Sequence, residues 1–250
     1  MDPIFADIGN STVMIGRFIN GSVERLAYTD HQNLPTNLLS SVCLLSNVGM
    51  SLTKQQEYFG ACPSVHDMLE RMPFRLAYSN PKQLGQDRIA AMMAGWCYND
   101  KKNRMKRSFA VIDFGSCVTT DIVNSEGKHM GGNIDLGLLW RLRAAHNFSE
   151  NLPMVDMGDS INGLDAFLAN NTHQSLDYGV VSGFLRQQVN HIKICFEQYG
   201  VESVFLTGGQ SSWISQFLPK EDLGEIIVDE DLVIRGLNDI FALGEHFDKQ

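Results

Sequence analysis

Two short segments decide the fold: IFADIGNST at residues 4–12 and FAVIDFGS at residues 109–116. Each is an apolar strand that ends in Asp-x-Gly, followed by small side chains that carry hydroxyl or amide groups. A second strand follows each segment, at residues 13–18 and 120–123, and then a turn at residues 20–21 or 125–127. The sequence therefore contains an internal repeat, in which a β-hairpin opens each half.

The remainder of the chain alternates between strand and helix patterns. Buried strands are predicted at residues 41–45 and 203–206, and helices at residues 65–72, 86–98 and 176–199. This alternation indicates α/β layers. Because both halves begin with the same hairpin, the chain resembles the duplicated ribonuclease H-like fold of the actin-like ATPases. We predict two similar domains, residues 1–108 and 109–250, with the active site in the cleft between them.

Composition excludes several functional classes. The net charge of −9 over 250 residues argues against binding to nucleic acid, which needs clustered basic side chains. No apolar run approaches the roughly 20 residues that span a bilayer, and Met1-Asp2-Pro3 does not resemble the start of a signal peptide. The five cysteines include no C-x-x-C pair, which suits reduced thiols. We therefore expect a cytoplasmic protein without nucleic-acid or membrane partners.

The repeated Asp-x-Gly suits phosphoryl transfer. The carboxylate can hold a hydrated Mg²⁺, and the glycine lets successive backbone N–H groups face a phosphate. A single Asp-x-Gly is also a common hairpin turn. Two copies at matching positions, together with Thr207-Gly208-Gly209 after a late strand, favour a nucleotide site. The Thr207-Gly208-Gly209 loop could pack against adenine or ribose. The alternative is that it is only an ordinary turn between a strand and a helix.

A third segment, YSNPKQLGQDR at residues 78–88, places an Asp-Arg pair at the start of a helix. Asp87 could act as a general base towards an attacking hydroxyl, and Arg88 could bind a substrate carboxylate. The alternative is that Asp87 only stabilises the helix N-terminus while Arg88 is solvated. Spacing alone favours this alternative.

Taken together, the motifs resemble those of the type III pantothenate kinases over nearly the whole chain. The family's Asp-x-Gly-Asn-Thr is similar to residues 7–11, its Tyr-x-x-Pro-x-x-Leu-Gly-x-Asp-Arg to residues 78–88, and its Asp-x-Gly-Thr-x-x-Thr-x-Asp to residues 113–121. Further similar segments are residues 131–134, Asn171-Thr172 with Gly179, residues 207–209 and residues 231–237. The order and spacing of these motifs are more specific than any one of them.

The resemblance implies ATP-dependent phosphorylation of pantothenate to 4′-phosphopantothenate, the first step of coenzyme A synthesis. It implies Asp87 as the catalytic base, and ATP, Mg²⁺ and K⁺ or NH₄⁺ as cofactors. Asp7 would hold Mg²⁺ through water, and Asp113 would bind the monovalent cation. The residues implied for ATP are Asp7, Ile8, Gly9, Asn10, Ser11, Thr12, Val13, Met14, Ser116, Gly208 and Gly209. Those implied for pantothenate are Tyr78, Gly85, Gln86, Asp87, Arg88 and Thr172, the last reaching across a homodimer interface.

Two residues depart from the family pattern. Ser116 replaces a threonine but keeps its hydroxyl, whereas Leu136 replaces the proline of a Pro-Gly turn. Without proline the loop loses a fixed φ, so its shape does not follow from the sequence. Two alternatives stay open at this point: a kinase of the same fold for another small hydroxy acid, and a nucleotide-binding regulatory protein.

Overall fold

The computed structural model describes residues 2–101, 107–149, 151–155, 167–219 and 223–247. The first elements are β1 (Ile4–Ile8), β2 (Val13–Ile19), β3 (Ser22–Thr29), α1 (Thr36–Leu39), β4 (Val42–Asn47), α2 (Leu52–Phe59) and α3 (Gln86–Lys101), with 3₁₀ turns at Val65–Arg71 and Pro81–Gln83. Then follow β5 (Phe109–Phe114), β6 (Cys117–Val123), β7 (His129–Leu136), α4 (Leu138–Asn147), α5 (Thr172–Leu176), α6 (Ser182–Glu197), β8 (Ser203–Thr207), α7 (Ser211–Ser215), β9 (Glu225–Val228) and α8 (Leu232–Phe247).

The first sheet has the order β3-β2-β1-β4. β2 is antiparallel to both β1 and β3, while β4 joins β1 in parallel. Asn20 and Gly21 connect β2 to β3 with φ values of 50° and 88°. Positive φ at both residues is the geometry of a type I′ turn, whose twist matches that of the flanking strands. The first predicted hairpin and its turn are confirmed.

The second sheet has the order β7-β6-β5-β8-β9, so its first four positions repeat the order of the first sheet. β8 and β9 run parallel. Each sheet places a three-strand meander beside a strand that arrives later in the chain. The predicted α/β fold with a duplicated hairpin is therefore confirmed. In the parts of the chain that the structure describes, no helix is both long and apolar enough to cross a membrane.

The chain divides into two compact units. The first contains Met1–Val111, Asp121–Gly131 and Asp231–Gln250, and the second contains Ile112–Thr120 and Gly132–Glu230. The last helix, α8, belongs to the first unit because it packs on α3 and on the first sheet. Phe5 of β1 and Phe241 of α8 meet edge to face at 5.8 Å between ring centroids. The division into two domains at residues 1–108 and 109–250 stays a prediction.

In the second unit, α6 provides much of the apolar packing. Phe184, Ile192 and Cys195 are buried, as the helical spacing predicted, while Val180 and Phe196 are only partly buried. The predicted helix from residue 176 is not uniform, because Asp177–Val181 form a π-helical turn between α5 and α6. A π-turn rotates the residues before it relative to those after it, which explains why the inward face predicted from α-helical spacing fails at Val180.

Candidate active site

The first Asp-x-Gly loop follows β1. The Gly9 N–H donates to the Thr12 carbonyl at 2.9 Å, which closes a tight loop with Asn10 and Ser11 exposed at its tip. Ile8 and Val13 lie in the core, and Met14 is buried as well. Of the predicted phosphate-binding residues, these three can therefore offer only backbone groups, whereas Asn10, Ser11 and Thr12 can also offer side-chain donors.

The loop after β4 supports this first loop from one side. The N–H groups of Val48 and Gly49 both donate to the Ile8 carbonyl, at 3.0 and 3.2 Å. A Cβ on Gly49 would lie 1.9 Å from the Gly9 carbonyl oxygen, so the two backbones approach at a distance that only glycine permits. The His31 ring contacts the same Gly9 carbonyl through Nε2 at 2.8 Å. These contacts hold the loop in one conformation.

Asp7 lies at the end of β1 with an unusual electrostatic environment. Its Oδ1 is inaccessible to solvent and accepts no hydrogen bond from any described residue, although the residue as a whole is only partly buried. Burial and the nearby Asp87 carboxylate raise the pKa of Asp7 to about 7, and the adjacent Ser46 hydroxyl opposes the shift. Two carboxyl groups thus share a site where negative charge is poorly compensated, which is an environment that favours a bound cation.

Asp87 occupies the first turn of α3. Burial raises its pKa, while the N–H and the charge of Arg88 act in the opposite direction and Asp121 adds to the rise. Asp87 Oδ1 accepts the Arg88 N–H at 2.8 Å, so the carboxylate folds back over the helix N-terminus. A Cβ on Gly85 would lie 2.5 Å from this oxygen, and glycine leaves room for it. Asp87 can therefore stabilise the helix and still face a substrate.

Arg88 is buried, so the alternative in which it is solvated is wrong. Its side chain is 5% exposed and pairs with Asp121 of β6: Nε donates to Oδ2 at 2.7 Å and Nη2 to Oδ1 at 2.8 Å. Burial lowers the pKa of the Arg88 guanidinium, but the contacts with Asp121 and Tyr78 together outweigh it, and the pKa is raised. Removing either partner of such a buried pair leaves an uncompensated charge, at a cost of about 3–5 kcal/mol.

Two further side chains complete this network. His129, the first residue of β7, donates from Nε2 to Asp121 Oδ1 at 2.8 Å, and its ring lies parallel to that of Tyr78 at 6.1 Å. The Tyr78 hydroxyl lies 3.5 Å from Arg88 Nη1. Sequence reasoning assigned no role to Asp121 or His129. One signal pointed to Asp121: it is the last residue of the second Asp-x-Gly motif, and a buried arginine needs a carboxylate partner.

The other predicted pantothenate contacts lie in two places. Gln86 is buried, and its Oε1 accepts the Val65 N–H at 3.2 Å, so this side chain ties α3 to the preceding 3₁₀ turn. Thr172 is exposed as the first residue of α5 in the second unit, where Asn171 caps the helix by accepting from the Gln174 N–H at 3.0 Å.

The second Asp-x-Gly loop follows β5 in the other unit. The Gly115 N–H donates to the Cys117 carbonyl at 3.1 Å, which repeats the closure of the first loop. Gly208, with a φ of 83°, packs against it: a Cβ there would lie 2.3 Å from Asp113 Oδ1 and 2.7 Å from the Phe114 carbonyl oxygen. The structure thus places Asp113 against the Thr207–Gly209 loop, while the ligands predicted for Asp113, Ser116, Gly208 and Gly209 stay predictions.

The Leu136 loop is ordered by side chains instead of proline. The Leu136 N–H, which proline would lack, donates to Asp135 Oδ1 at 2.7 Å. Arg141 donates to the Leu136 carbonyl at 2.9 Å and also pairs with Asp135, which accepts from Gln187 Nε2 at 2.7 Å. The next N–H, of Gly137, donates to the Ser116 carbonyl at 3.0 Å. Leu136, which departs from the family pattern, is therefore held by these side chains directly beside the second Asp-x-Gly loop.

The donor sets fit hard cations bound jointly by protein, water and phosphate. Among the described residues no three His, Cys, Asp or Glu side chains are close enough to enclose a metal ion. Mg²⁺ in nucleotide sites is commonly held by one or two carboxylates plus phosphate oxygens and water. The unpartnered Asp7 oxygen beside Asp87 meets that requirement. At Asp113, a carboxylate and a backbone carbonyl next to Gly208 offer the oxygen ligands that suit K⁺.

Comparison with known proteins agrees with this fold. The structure of the activator of the 2-hydroxyisocaproyl-CoA dehydratase from Clostridium difficile with bound ADPNP superposes with a TM-score of 0.54 at 14% identity, covering 100% of this chain and 97% of that one. The chain thus has the duplicated ribonuclease H-like fold that the sequence predicts, the fold of actin-like ATPases and sugar kinases.

Sequence comparison then gives the family. The family model for type III pantothenate kinase matches residues 4–193. A type III pantothenate kinase from Azobacteroides pseudotrichonymphae is 32% identical over 71% of this chain and 67% of that protein, and one from Bacteroides fragilis (strain YCH46) is 29% identical over 95% of this chain and 96% of that protein. The chain belongs to the type III pantothenate kinase family.

Proposed function

We propose that this protein transfers the γ-phosphate of ATP to the primary hydroxyl of pantothenate in the cytoplasm, forming 4′-phosphopantothenate for coenzyme A synthesis. Family membership supports the reaction. The observation that carries it is the proximity of Asp7 and Asp87, two carboxyl groups whose pKa values are raised in one partly buried site. A raised pKa makes a carboxylate a stronger base near neutral pH.

Asp87 would accept the proton of the pantothenate hydroxyl while that oxygen attacks the γ-phosphorus and ADP leaves. Its attachment to the first turn of α3 keeps the carboxylate in place during the transfer, because the Arg88 N–H holds Oδ1 at 2.8 Å. Arg88 Nη1 and the Tyr78 hydroxyl would bind the acid end of pantothenate. Since Asp121 already pairs with Nε and Nη2, only the other edge of the guanidinium remains for the substrate.

The first Asp-x-Gly loop would bind the ATP phosphates. Its backbone N–H groups and the exposed Asn10 and Ser11 provide neutral donors, and Asp7 would orient a hydrated Mg²⁺. When bound, this ion would neutralise charge on the phosphates. In the second unit, Ser116 would contact ATP, Gly208 and Gly209 would face its adenosine part, and Asp113 would hold K⁺ or NH₄⁺.

We also propose that the protein acts as a homodimer in which Thr172 reaches the pantothenate site of its partner. Exposed apolar side chains on β7 and α4 support this: Ile134, Leu136, Leu139 and Trp140 are 64%, 43%, 42% and 41% exposed. A surface of this kind is typical of protein interfaces. Light scattering on wild type and Trp140→Glu tests it, and a monomeric wild type would refute the homodimer.

The first experiment measures pantothenate-dependent ATP consumption, with and without K⁺ or NH₄⁺, in wild type, Asp87→Asn and Glu57→Gln. Glu57 is an exposed carboxylate on α2, so its variant controls for loss of one negative charge. We expect cation-stimulated turnover in wild type and in Glu57→Gln, and its collapse in Asp87→Asn. Binding of ATP without turnover on pantothenate would reject the proposal and favour another hydroxy-acid acceptor or a regulatory protein.

A further inference from the structure

His129 is a polar residue that the proposed reaction does not use, yet it is wholly buried. It is the first residue of β7, and Asp121 of the neighbouring strand β6 lies between its ring and the Arg88 guanidinium. Burying an imidazole costs free energy unless its nitrogen atoms find partners. Here both do: Nε2 contacts Asp121 Oδ1 at 2.8 Å and Nδ1 lies 3.4 Å from the Ala77 N–H.

The partners of His129 fix its tautomer. Because the Ala77 N–H can only donate, Nδ1 must accept, and the ring proton therefore resides on Nε2. Nε2–H then donates to Asp121 Oδ1, which also accepts from Arg88 Nη2, while Oδ2 accepts from Arg88 Nε. Three donors thus restrain the two oxygens of Asp121. Arg88 supplies two of them and His129 supplies the third.

This restraint determines the orientation of Arg88. A guanidinium is planar, so two bonds along its Nε–Nη2 edge leave the edge that carries Nη1 as the one available to a carboxylate. That edge faces Tyr78, whose ring also stacks on His129 within 10° of parallel. His129 therefore contacts a residue on each side of the guanidinium: Asp121 at the Nε–Nη2 edge through a hydrogen bond, and Tyr78 at the available edge through ring packing.

We propose that His129 is a positioning residue for the acid end of the substrate: through Asp121 it holds the Arg88 guanidinium so that Nη1 faces Tyr78 and the incoming carboxylate. This inference rests on the proposed function of Arg88 in binding pantothenate. It assigns His129 no contact with ATP and no proton transfer.

Two substitutions separate the hydrogen bond from the packing. His129→Phe keeps a ring against Tyr78 but loses the donor to Asp121, whereas His129→Gln keeps an N–H donor at a similar reach but loses the ring. We expect His129→Phe to raise the KM for pantothenate about 10- to 100-fold, the usual effect of losing a hydrogen bond to a charged group, with the KM for ATP unchanged. His129→Gln should restore the KM for pantothenate to within about threefold of wild type.

A double-mutant cycle with Arg88→Lys tests whether His129 acts through Arg88. Lysine cannot form the two-bond contact with Asp121, so the effect of His129→Phe on the KM for pantothenate should largely vanish in that background. Additive effects would overturn the proposal. So would an equal rise in the KM for ATP, or a folded His129→Gln variant that behaves like His129→Phe.

A readout without turnover separates this proposal from the proposed function. The Nε–H proton resonance of Arg88 reports its bond to Asp121, and we expect it to be shifted in wild type and His129→Gln but moved towards the solvated position in His129→Phe. Wild type that retains this shift but phosphorylates no pantothenate would refute the proposed function alone. An unchanged resonance in His129→Phe would refute the positioning role, whatever the activity.

Discussion

The two Asp-x-Gly loops share one backbone device, and the first loop also gives its aspartate an unusual charge environment. In both, a glycine beyond the neighbouring strand presses on the loop: Gly49 on Gly9 after β4, and Gly208 on Asp113 and Phe114 after β8. The first loop, however, places Asp7 beside a second carboxyl group, and burial raises its pKa to about 7. In the second loop, Asp113 lies against the backbone of Gly208. The two loops thus share a backbone closure and a packed glycine, while burial and Asp87 make the surroundings of Asp7 unfavourable for negative charge.

The largest expected effect is on catalysis. We expect Asp7→Asn to lower kcat about 1000-fold, because the variant loses the charge that would orient a hydrated Mg²⁺ on the phosphates.

Asp113→Asn should lower kcat less, by about 10- to 100-fold, and raise the K⁺ concentration needed for half-maximal activity. Steady-state assays over Mg²⁺ and K⁺ titrations distinguish the two. Equal losses with the same cation dependence would mean that the loops do not differ in function.

The shared backbone device predicts a stability effect at both loops. Gly49→Ala and Gly208→Ala should each lower the free energy of unfolding by about 2–3 kcal/mol, since the new methyl groups overlap backbone atoms and Gly208 also has a positive φ. Denaturant unfolding measures this. Gly183→Ala on α6 is the matched control, because a Cβ there meets no atom within 4 Å. If the two loop variants match this control, the glycine contacts are unimportant.

Because the raised pKa of Asp7 shows that its ionised form is disfavoured in the folded protein, replacing Asp7 with a neutral residue should stabilise the protein while lowering its activity. A carboxyl with a pKa of 3.8 unfolded and about 7 folded loses its stabilising proton as pH rises between these values. Asp7→Asn should therefore be more stable than wild type by about 1–2 kcal/mol at pH 8 without nucleotide or Mg²⁺, a figure reduced because the residue is partly exposed. Near pH 4.5 the difference should be small.

Thermal unfolding of wild type, Asp7→Asn and Glu57→Gln at the two pH values checks this expectation. The exposed Glu57 controls for net charge. A difference between Asp7→Asn and wild type that is independent of pH would show that Asp7 ionises normally in the folded protein.

The smallest effect is expected at the Leu136 loop, which restrains only the second Asp-x-Gly loop. Asp135→Asn should weaken the contacts to Arg141 and Gln187 and lower stability by about 1 kcal/mol, because the ion pair is partly exposed. The KM for ATP should rise about threefold, since Gly137 contacts the Ser116 carbonyl. Lys193→Gln, on the exposed face of α6, serves as the control. A KM for ATP equal to that of wild type would mean that the cluster does not order the loop.

Much of the fold followed from local patterns. The repeated strand, Asp-x-Gly and turn predicted the two hairpins, because such turns depend on a few adjacent residues. The π-turn before α6 did not follow, since its residues fit ordinary helical spacing equally well. Sequence reasoning also favoured a solvated Arg88 when spacing alone was considered. Spacing along the chain cannot show that Asp121, 33 positions away, is the ion-pair partner of Arg88.

The sequence by itself indicated the class of chemistry, since the order and spacing of its motifs are those of a family of kinases. Tertiary structure alone decided how each charged group behaves. Burial and Asp87 raise the pKa of Asp7. The orientation of Arg88 and the order of the Leu136 loop depend on His129 and Gln187, and each of these three partners is distant in sequence from the group that it affects. Electrostatic energy and hydrogen bonding depend on spatial separation and burial, which the fold determines.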